Sequence, residues 1–212
     1  MSLLSSERAL IFRITHYDNL PWILEHGLHC RNSQTRDPNF VEIGRPEIIS
    51  RRSTRVVDIP PGGTLSDYVP FYFSSRTPML MNITSGWQGL TKRPISDIVI
   101  LVACLRDLAT EGVPFVFSDR NATLETAEFF ADLDQLNELP WALWRTSDFK
   151  RDDAQPDKIE RYHAEALIYR ELPVEKLECI ACSNEARTNA VEQIIAKHNL
   201  QLPVYCRPEW YC

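Results

Sequence analysis

The chain has 212 residues, 44% of them hydrophobic, and a formal net charge of -6; this is enough for one substantial core, so a single domain over residues 1–212 is expected. The acidic balance argues against a surface generally coated by nucleic acid, and no apolar run is long enough to cross a bilayer. The N-terminal Met1-Ser2-Leu3-Leu4-Ser5-Ser6-Glu7-Arg8 lacks the basic and apolar regions of a secretion signal, so the expected compartment is the cytoplasm, with six dispersed cysteines as reduced thiols.

Residues 11–16 (Ile-Phe-Arg-Ile-Thr-His) predict a strand, and Asp18, Asn19, Leu20 and Pro21 then offer a polar cap and an early proline for a short helix that Gly27 ends. This step puts Arg13, Thr15 and His16 near one strand end, where side chains and free helix N–H groups can meet an anion. For His16, a hydrogen-bonded structural role is the alternative. From residue 30 to residue 61 periodicity is lost; only Ile48 and Ile49 offer a core anchor, and Arg51, Arg52 and Arg55 cluster near the end. A loop of that length inside a compact domain is usually a binding element or disordered.

Gly62 and Gly63 permit a turn, and residues 69–73 (Val-Pro-Phe-Tyr-Phe) predict a strand in which Pro70 argues for an edge or strand-start position. An apolar stretch begins at residues 79–81 and is interrupted by Gly86 and Gly89. Residues 97–103 predict a buried strand and 115–117 a shorter one, while 126–136 has helical spacing, with Phe129, Phe130, Leu133 and Leu136 on one side.

Between Leu136 and Glu165, the rings of Trp141, Trp144 and Phe149 are interleaved with Lys150, Arg151, Lys158 and Arg161. Rings stack on bases and cations hold phosphates, which suits single-stranded nucleic acid. Equally, the tryptophans can simply pin a loop to the core, and charge runs usually lie on solvated faces. Residues 177–182 predict a strand, 185–198 a helix and 204–206 a closing strand. Cys179 and Cys182 have a pair spacing, but no second pair or clustered His completes a zinc site, and no metal is expected.

Residues 164–169 (Ala-Glu-Ala-Leu-Ile-Tyr) have the composition of a mostly buried strand with Glu165 set inside it. An ionised carboxylate there is costly unless it faces a polar cleft or has a partner, which is how catalytic acids are often placed. A strand edge with Glu165 facing water is the other reading.

In order and spacing, and across nearly the whole chain, several of these segments together resemble the DarT family of bacterial DNA ADP-ribosyltransferase toxins, which pair with the DarG antitoxin. They are residues 11–16 with Asp18, Asn19 and Leu20; Gly62 to Leu65 with 67–73; Pro78-Met79-Leu80; 114–119; Arg161-Tyr162-His163-Ala164-Glu165; and Trp210-Tyr211. The resemblance implies an α+β chain with the ADP-ribosyltransferase fold, a central split β-sheet with flanking helices and an NAD cleft. It implies NAD as substrate, with Arg13, Ile14, Thr15, His16 and Arg52 around it, an NAD-binding loop within residues 30–55, and Tyr72 and Phe73 beside the nicotinamide. Glu165 matches the catalytic glutamate and Arg52 the catalytic arginine. The segment from about residue 119 to Glu165 resembles the substrate-recognising loop, with Trp141, Trp144, Phe149, Arg151 and Arg161 as expected DNA contacts. Some relatives carry His where this chain has Arg13, and many have Phe-Leu-Val in place of Ala166-Leu167-Ile168.

The implied function is a toxin that moves ADP-ribose from NAD to a thymidine base in single-stranded DNA, releases nicotinamide, blocks replication and is countered by a DarG-like macrodomain antitoxin. Departure of nicotinamide leaves positive charge on the ribose, which a fixed carboxylate stabilises. The family assignment makes Arg52 the proton acceptor, whereas a guanidinium is protonated under almost all conditions. Stabilisation of the base anion or the NAD phosphates by Arg52, with the proton leaving by another route, is physically easier. Transfer to guanosine, RNA or protein, or a non-catalytic nucleic-acid-binding module, are the competing readings; NAD consumption separates the last from the rest.

Overall fold

The alternation read in the sequence becomes sheet and helix in a computed structural model that describes residues 4–211, with Gln88 as backbone only. Met1, Ser2, Leu3 and Cys212, which entered the readings of the N-terminus and of the cysteines, lie outside the described residues. The chain opens with β1 (Leu10–His16), α1 (Leu20–His26), β2 (Leu28–His29), α2 (Pro46–Arg52), β3 (Tyr68–Tyr72) and α3 (Pro78–Ser85). There follow β4 (Ile98–Cys104), α4 (Leu105–Thr110), β5 (Phe115–Asn121), β6 (Phe129–Phe130), α5 (Trp141–Thr146), α6 (Lys158–Arg161) and β7 (Ala164–Tyr169). The last elements are β8 (Glu171–Leu172), β9 (Cys179–Cys182), α7 (Glu185–Lys197) and β10 (Val204–Cys206).

Eight strands form one sheet in the order β10-β9-β4-β1-β3-β7-β5-β6, and β2 pairs with β8 separately. β1 runs antiparallel to β4 from Leu10↔Cys104 to His16↔Ile98, yet it meets β3 only at Phe12↔Tyr72. The sheet is therefore split, its two halves joined at one point and diverging beyond it. Pro70 helps to explain the split. In a strand, the N–H and C=O of one residue point to the same side, and the Pro70 carbonyl faces β1, where it accepts a hydrogen bond from Arg13 Nη1 at 2.9 Å. The missing N–H thus falls on the side where the ladder has opened. The edge position expected for Pro70 is overturned, since β3 lies inside the sheet, but the physical reason for the expectation survives.

Alternate residues sort to two apolar layers. Ile11, Phe71, Leu101 and Ala166 face the layer covered by α1, α5 and α7, while Phe12, Ile100 and Val102 face Leu80 and Ile83 of α3. Helix boundaries follow local chemistry. Thr77 Oγ1 accepts from Leu80 N ahead of Pro78 at the start of α3, and Gly86 ends it in the left-handed region. Gly27 ends α1 at φ +82°, where a Cβ would stand 2.9 Å from the Leu172 carbonyl oxygen.

One expected helix is absent. Residues 126–136 are not a helix: Phe129 and Phe130 pair with Ser118 and Phe117 as β6, and Leu133–Glu138 is a 3-10 helix. The Phe130 ring stacks on Phe117 at 5.5 Å, a contact that one-dimensional spacing does not contain. Within the aperiodic stretch from 30 to 61 the chain forms α2, which starts at Pro46 and ends on Arg51 and Arg52.

Asp67 ties the start of β3 to its surroundings. Its carboxylate accepts from Thr64 N at 2.8 Å and Asn32 Nδ2 at 3.0 Å and pairs with Arg170 Nη1 at 2.9 Å. Burial raises its pKa, but the bonds from Thr64 and Asn32 and the charge of Arg170 together hold it below the usual carboxylate value. Gly63, at φ +86°, leaves the room: a Cβ there would lie 2.7 Å from Asp67 Oδ2. Asp67→Ala is expected to lower stability by about 3 kcal/mol in urea unfolding, and Gly63→Ala by at least about 1 kcal/mol. Because the folded-state pKa is depressed, the Asp67 contribution is present above about pH 4 and disappears as pH falls through the folded pKa; an Asp67→Ala difference undiminished at low pH would contradict this origin.

Candidate active site

Glu165 is the second residue of β7, opposite Tyr72 of β3, and is 6% exposed. The strand-edge reading is thereby excluded. Arg52, at the last turn of α2, donates from Nη1 to Glu165 Oε2 at 2.7 Å, and its Nη2 reaches the Leu65 carbonyl at 3.5 Å. The two side chains are 113 residues apart in sequence and nearly buried, at 13% and 8% exposure. A short charge-assisted bond fixes both groups, and Glu165 keeps its second oxygen for the cavity it lines.

The local backbone explains how β7 presents a carboxylate. The β5–β7 register runs Phe117↔Ala166 and resumes at Asn121↔Ala164, so Ser118, Asp119 and Arg120 stand opposite Glu165 alone. This bulge removes the β5 backbone partner, and Glu165 N donates to Ser118 Oγ at 3.2 Å instead. Ser118 is fully buried, and its hydroxyl donates to the Arg120 carbonyl at 2.6 Å.

The pair stands in a cleft opened by the split sheet. Two open chambers, one larger than the other, share Arg13, Phe40, Glu42, Ile49, Arg52 and Pro70 in their walls. The larger chamber adds Ile14, Thr15, Tyr72, Asn121, His163 and Glu165; the smaller adds Trp22, His29, Ser66 and Tyr68. Among the described residues, the two buried side-chain polar atoms without a hydrogen-bond partner are Arg13 Nε and Ser66 Oγ, and both residues line this cleft. Orphaned buried donors are costly, so a polar ligand that reached them from this cleft would offset that cost. Burial pulls the Arg13 pKa down and, with Glu165 next to it, pushes the Tyr72 phenol well above its ordinary value. Tyr72 is thus a neutral donor. Among the described residues no group of three or more His, Cys, Asp or Glu is placed to hold a metal ion, and no helix is long and apolar enough to cross a membrane.

One wall of the cleft is the segment from residue 31 to residue 45, and sequence reasoning missed what holds it. Asn19 accepts from Val41 N at 2.8 Å and donates to Val41 O at 3.1 Å, and the same amide donates to Thr15 Oγ1 at 3.0 Å. Asn19 stands at the N-cap position of α1. It makes no cap bond, and His16 Nδ1 accepts from Asp18 N at the turn before α1.

Of the residues expected around NAD, Arg13, Ile14, Thr15, Arg52 and Tyr72 are together in the larger chamber with Glu165. His16 and Phe73 are not in the wall of either chamber. His16 is buried at the turn it caps, and Phe73 is 1% exposed, its ring stacked on Trp144 at 5.4 Å. Trp141 and Trp144 are corrected as DNA contacts: both are buried, and their indole N–H groups donate to the Leu136 and Arg161 carbonyls. A ring must offer a free face to stack on a base, and these pin the segment to the core. Phe149 packs against Tyr162 at 4.7 Å and is partly buried. Arg151 is 89% exposed, near Asp153 at 3.7 Å, and the Arg161 side chain forms no ion pair among the described residues. Lys158 is buried on Asp148 at 2.7 Å, and Arg55 is held by the Ala122 and Ala127 carbonyls over the Phe129 ring.

The family model described as "ssDNA thymidine ADP-ribosyltransferase, DarT" matches residues 12–212. A DNA ADP-ribosyl transferase of Escherichia coli O127:H6 is 45% identical over 208 residues, covering 98% of this chain and 95% of that one. The structure of Thermus sp. 2.9 DarT in complex with ADP-ribosylated ssDNA superimposes with a TM-score of 0.89 at 34% identity, covering 97% of each chain. The NAD+ complex of Thermus sp. 2.9 DarT gives a TM-score of 0.81 at 33% identity over 97% of this chain and 98% of that one. With its split sheet, its cleft and its Arg52–Glu165 pair, this chain belongs to the DarT family of ADP-ribosyltransferases.

Proposed function

We propose that this chain transfers the ADP-ribosyl group of NAD to a thymidine base in single-stranded DNA, acting in the cytoplasm as a toxin that a DarG-type macrodomain antitoxin restrains. The observation that carries this reading is the buried Arg52–Glu165 ion pair in the wall of a cleft with unsatisfied polar donors. Arg13 sits where the two chambers meet, and its unpartnered Nε is a donor for the polar groups of the dinucleotide. Glu165 is the group that stabilises the ribose as positive charge develops. The bond from the anomeric carbon to nicotinamide breaks with its electron pair leaving on nicotinamide, and a carboxylate already fixed by Arg52 needs no reorganisation to meet the cation. Attack by the base from the face opposite nicotinamide inverts the anomeric carbon.

Arg52 is read as an electrostatic and positioning group. Its fork is committed to Glu165 and the Leu65 carbonyl, which suits holding a carboxylate and balancing an anionic base. An unpaired base is the natural acceptor, because its ring nitrogen is free of Watson–Crick pairing without the cost of extrusion. Phe149, Arg151 and Arg161 remain as candidate strand contacts, now without the tryptophans.

Mixed single-stranded oligonucleotides incubated with NAD and analysed by mass spectrometry should gain one ADP-ribose on thymidine. Glu165→Gln should reduce the rate roughly 100- to 1,000-fold. An adduct confined to guanosine, RNA or protein would change the acceptor, and no NAD consumption at all would refute an enzyme. Arg52→Lys keeps a cation and loses the fork; it should retain about ten times the activity of Arg52→Gln, and equal rates for the two would count against a charge role. Asn19→Ala, which frees the wall at Val41, should raise KM for NAD roughly tenfold, with kcat changed far less. An unchanged KM would mean that the wall does not depend on this staple.

A further inference from the structure

Transfer to a base nitrogen leaves one proton to be accounted for, and the Arg52 guanidinium is already committed as a donor to Glu165 and the Leu65 carbonyl. His163 also lines the larger chamber, in the turn that joins α6 to β7 and two residues before Glu165. Its Nδ1 lies 2.9 Å from the Ile159 carbonyl oxygen. A carbonyl cannot donate, so Nδ1 carries the hydrogen and the neutral ring keeps its lone pair on Nε2. Among the described residues Nε2 has no hydrogen-bond partner. On the reading that the acceptor is a thymidine base, we propose that His163 is the general base of the transfer and takes the ring N–H proton of the acceptor on Nε2.

The surroundings fit this role. Tyr72 of β3 meets the imidazole edge to face at 6.4 Å, and its phenol stays neutral. Burial lowers the His163 pKa, the Ile159 bond and the charge of Glu165 act in the opposite direction, and Arg45 adds to the lowering. Arg13 and Arg52 are the remaining cations of that chamber, so the ring is held neutral at pH 7 and is ready to accept. Asn121 of β5 lines the same chamber with its amide oxygen engaged by Thr123 N at 3.0 Å and Thr123 Oγ1 at 2.8 Å. What Asn121 offers the cavity is therefore its N–H pair, a match for a carbonyl oxygen beside the ring nitrogen. A donor from Asn121 and an acceptor from His163 complement the neighbouring C=O and N–H of a thymine edge.

The step balances. As the thymine nitrogen bonds to the anomeric carbon, its proton moves to Nε2, and the electron pair of the broken bond stays with nicotinamide. The products are the ADP-ribosylated base, neutral nicotinamide and an imidazolium that returns its proton to solvent. His163 supplies the base function and Arg52 the charge.

The test is the pH profile of adduct formation for the wild-type chain, His163→Asn and His163→Ala, with NAD binding measured by titration calorimetry. The Asn amide retains a donor for the Ile159 carbonyl but cannot take up a proton. Wild-type transfer should fall at low pH with a break below the ordinary histidine value of about 6.5. His163→Asn should be roughly 100-fold slower or worse at pH 7 and bind NAD within a few-fold of wild type. Its rate should keep rising with pH as the base ionises unaided, and added imidazole should partly restore His163→Ala. Near-normal transfer at pH 7 in both variants would overturn the proposal. So would loss of NAD binding in both variants with no rescue, which would make the ring a structural post. A wild-type chain that forms no DNA adduct at any pH would instead sink the thymidine reading itself.

Discussion

The Arg52–Glu165 ion pair is the contact on which the rest of the site depends. At 2.7 Å, with both side chains nearly buried, it joins the end of α2 to the second residue of β7. Removing one partner of such a pair leaves an uncompensated buried charge and costs about 3–5 kcal/mol, so neither residue can be changed alone without loss. It holds α2 against the sheet. α2 has no buried residue of its own, and Ile48 and Ile49 face the cavity instead of anchoring a core. The electrostatic pair therefore also decides the shape of the cavity it serves.

The cavity exists because the sheet fails to close between β1 and β3. A continuous ladder would have filled that space with backbone hydrogen bonds. Instead Arg13 bridges to the Pro70 carbonyl with one nitrogen and leaves Nε unsatisfied in the wall. Proline removes a ladder donor, arginine supplies a longer one, and the difference in reach is the cleft. The bulge in β5 does the complementary work on the other side of β3, turning one position of β7 from ladder to site.

Much of this frame was legible. β7 falls on residues 164–169 as read, the helix ending at Gly27 is present, and α7 ends one residue before the expected limit. These segments carry their signal locally, as composition, period or a capping glycine. What was not legible depends on partners far away in sequence. Trp141 and Trp144 look the same on paper whether they face bases or Phe73, and only packing decides. Asn19 sits at a plausible cap, but its amide is used by Val41, which no local rule anticipates. Phe129 and Phe130 satisfy a helical spacing and a strand equally, and pairing with β5 settles it. His163 could have been noticed two residues before Glu165 in the same run. Its orientation, however, rests on the Ile159 carbonyl, which only the fold reveals.

In this net-acidic chain, part of the cation set is engaged within the fold. Lys158, Arg120, Arg170 and Arg187 are paired with Asp148, Asp119, Asp67 and Asp97, and Arg55 is spent on carbonyls. Those side chains are engaged within the fold and are not free to hold phosphates. On the proposed reaction, selectivity falls on one base entering the cavity, where Asn121, His163 and Tyr72 present a donor, a lone pair and a further donor in a largely desolvated setting. Each such bond is worth more there than at the surface, and each mismatch leaves a buried polar group unpaired. The same low exposure that holds Arg52 against Glu165 thus makes the neighbouring hydrogen bonds discriminating.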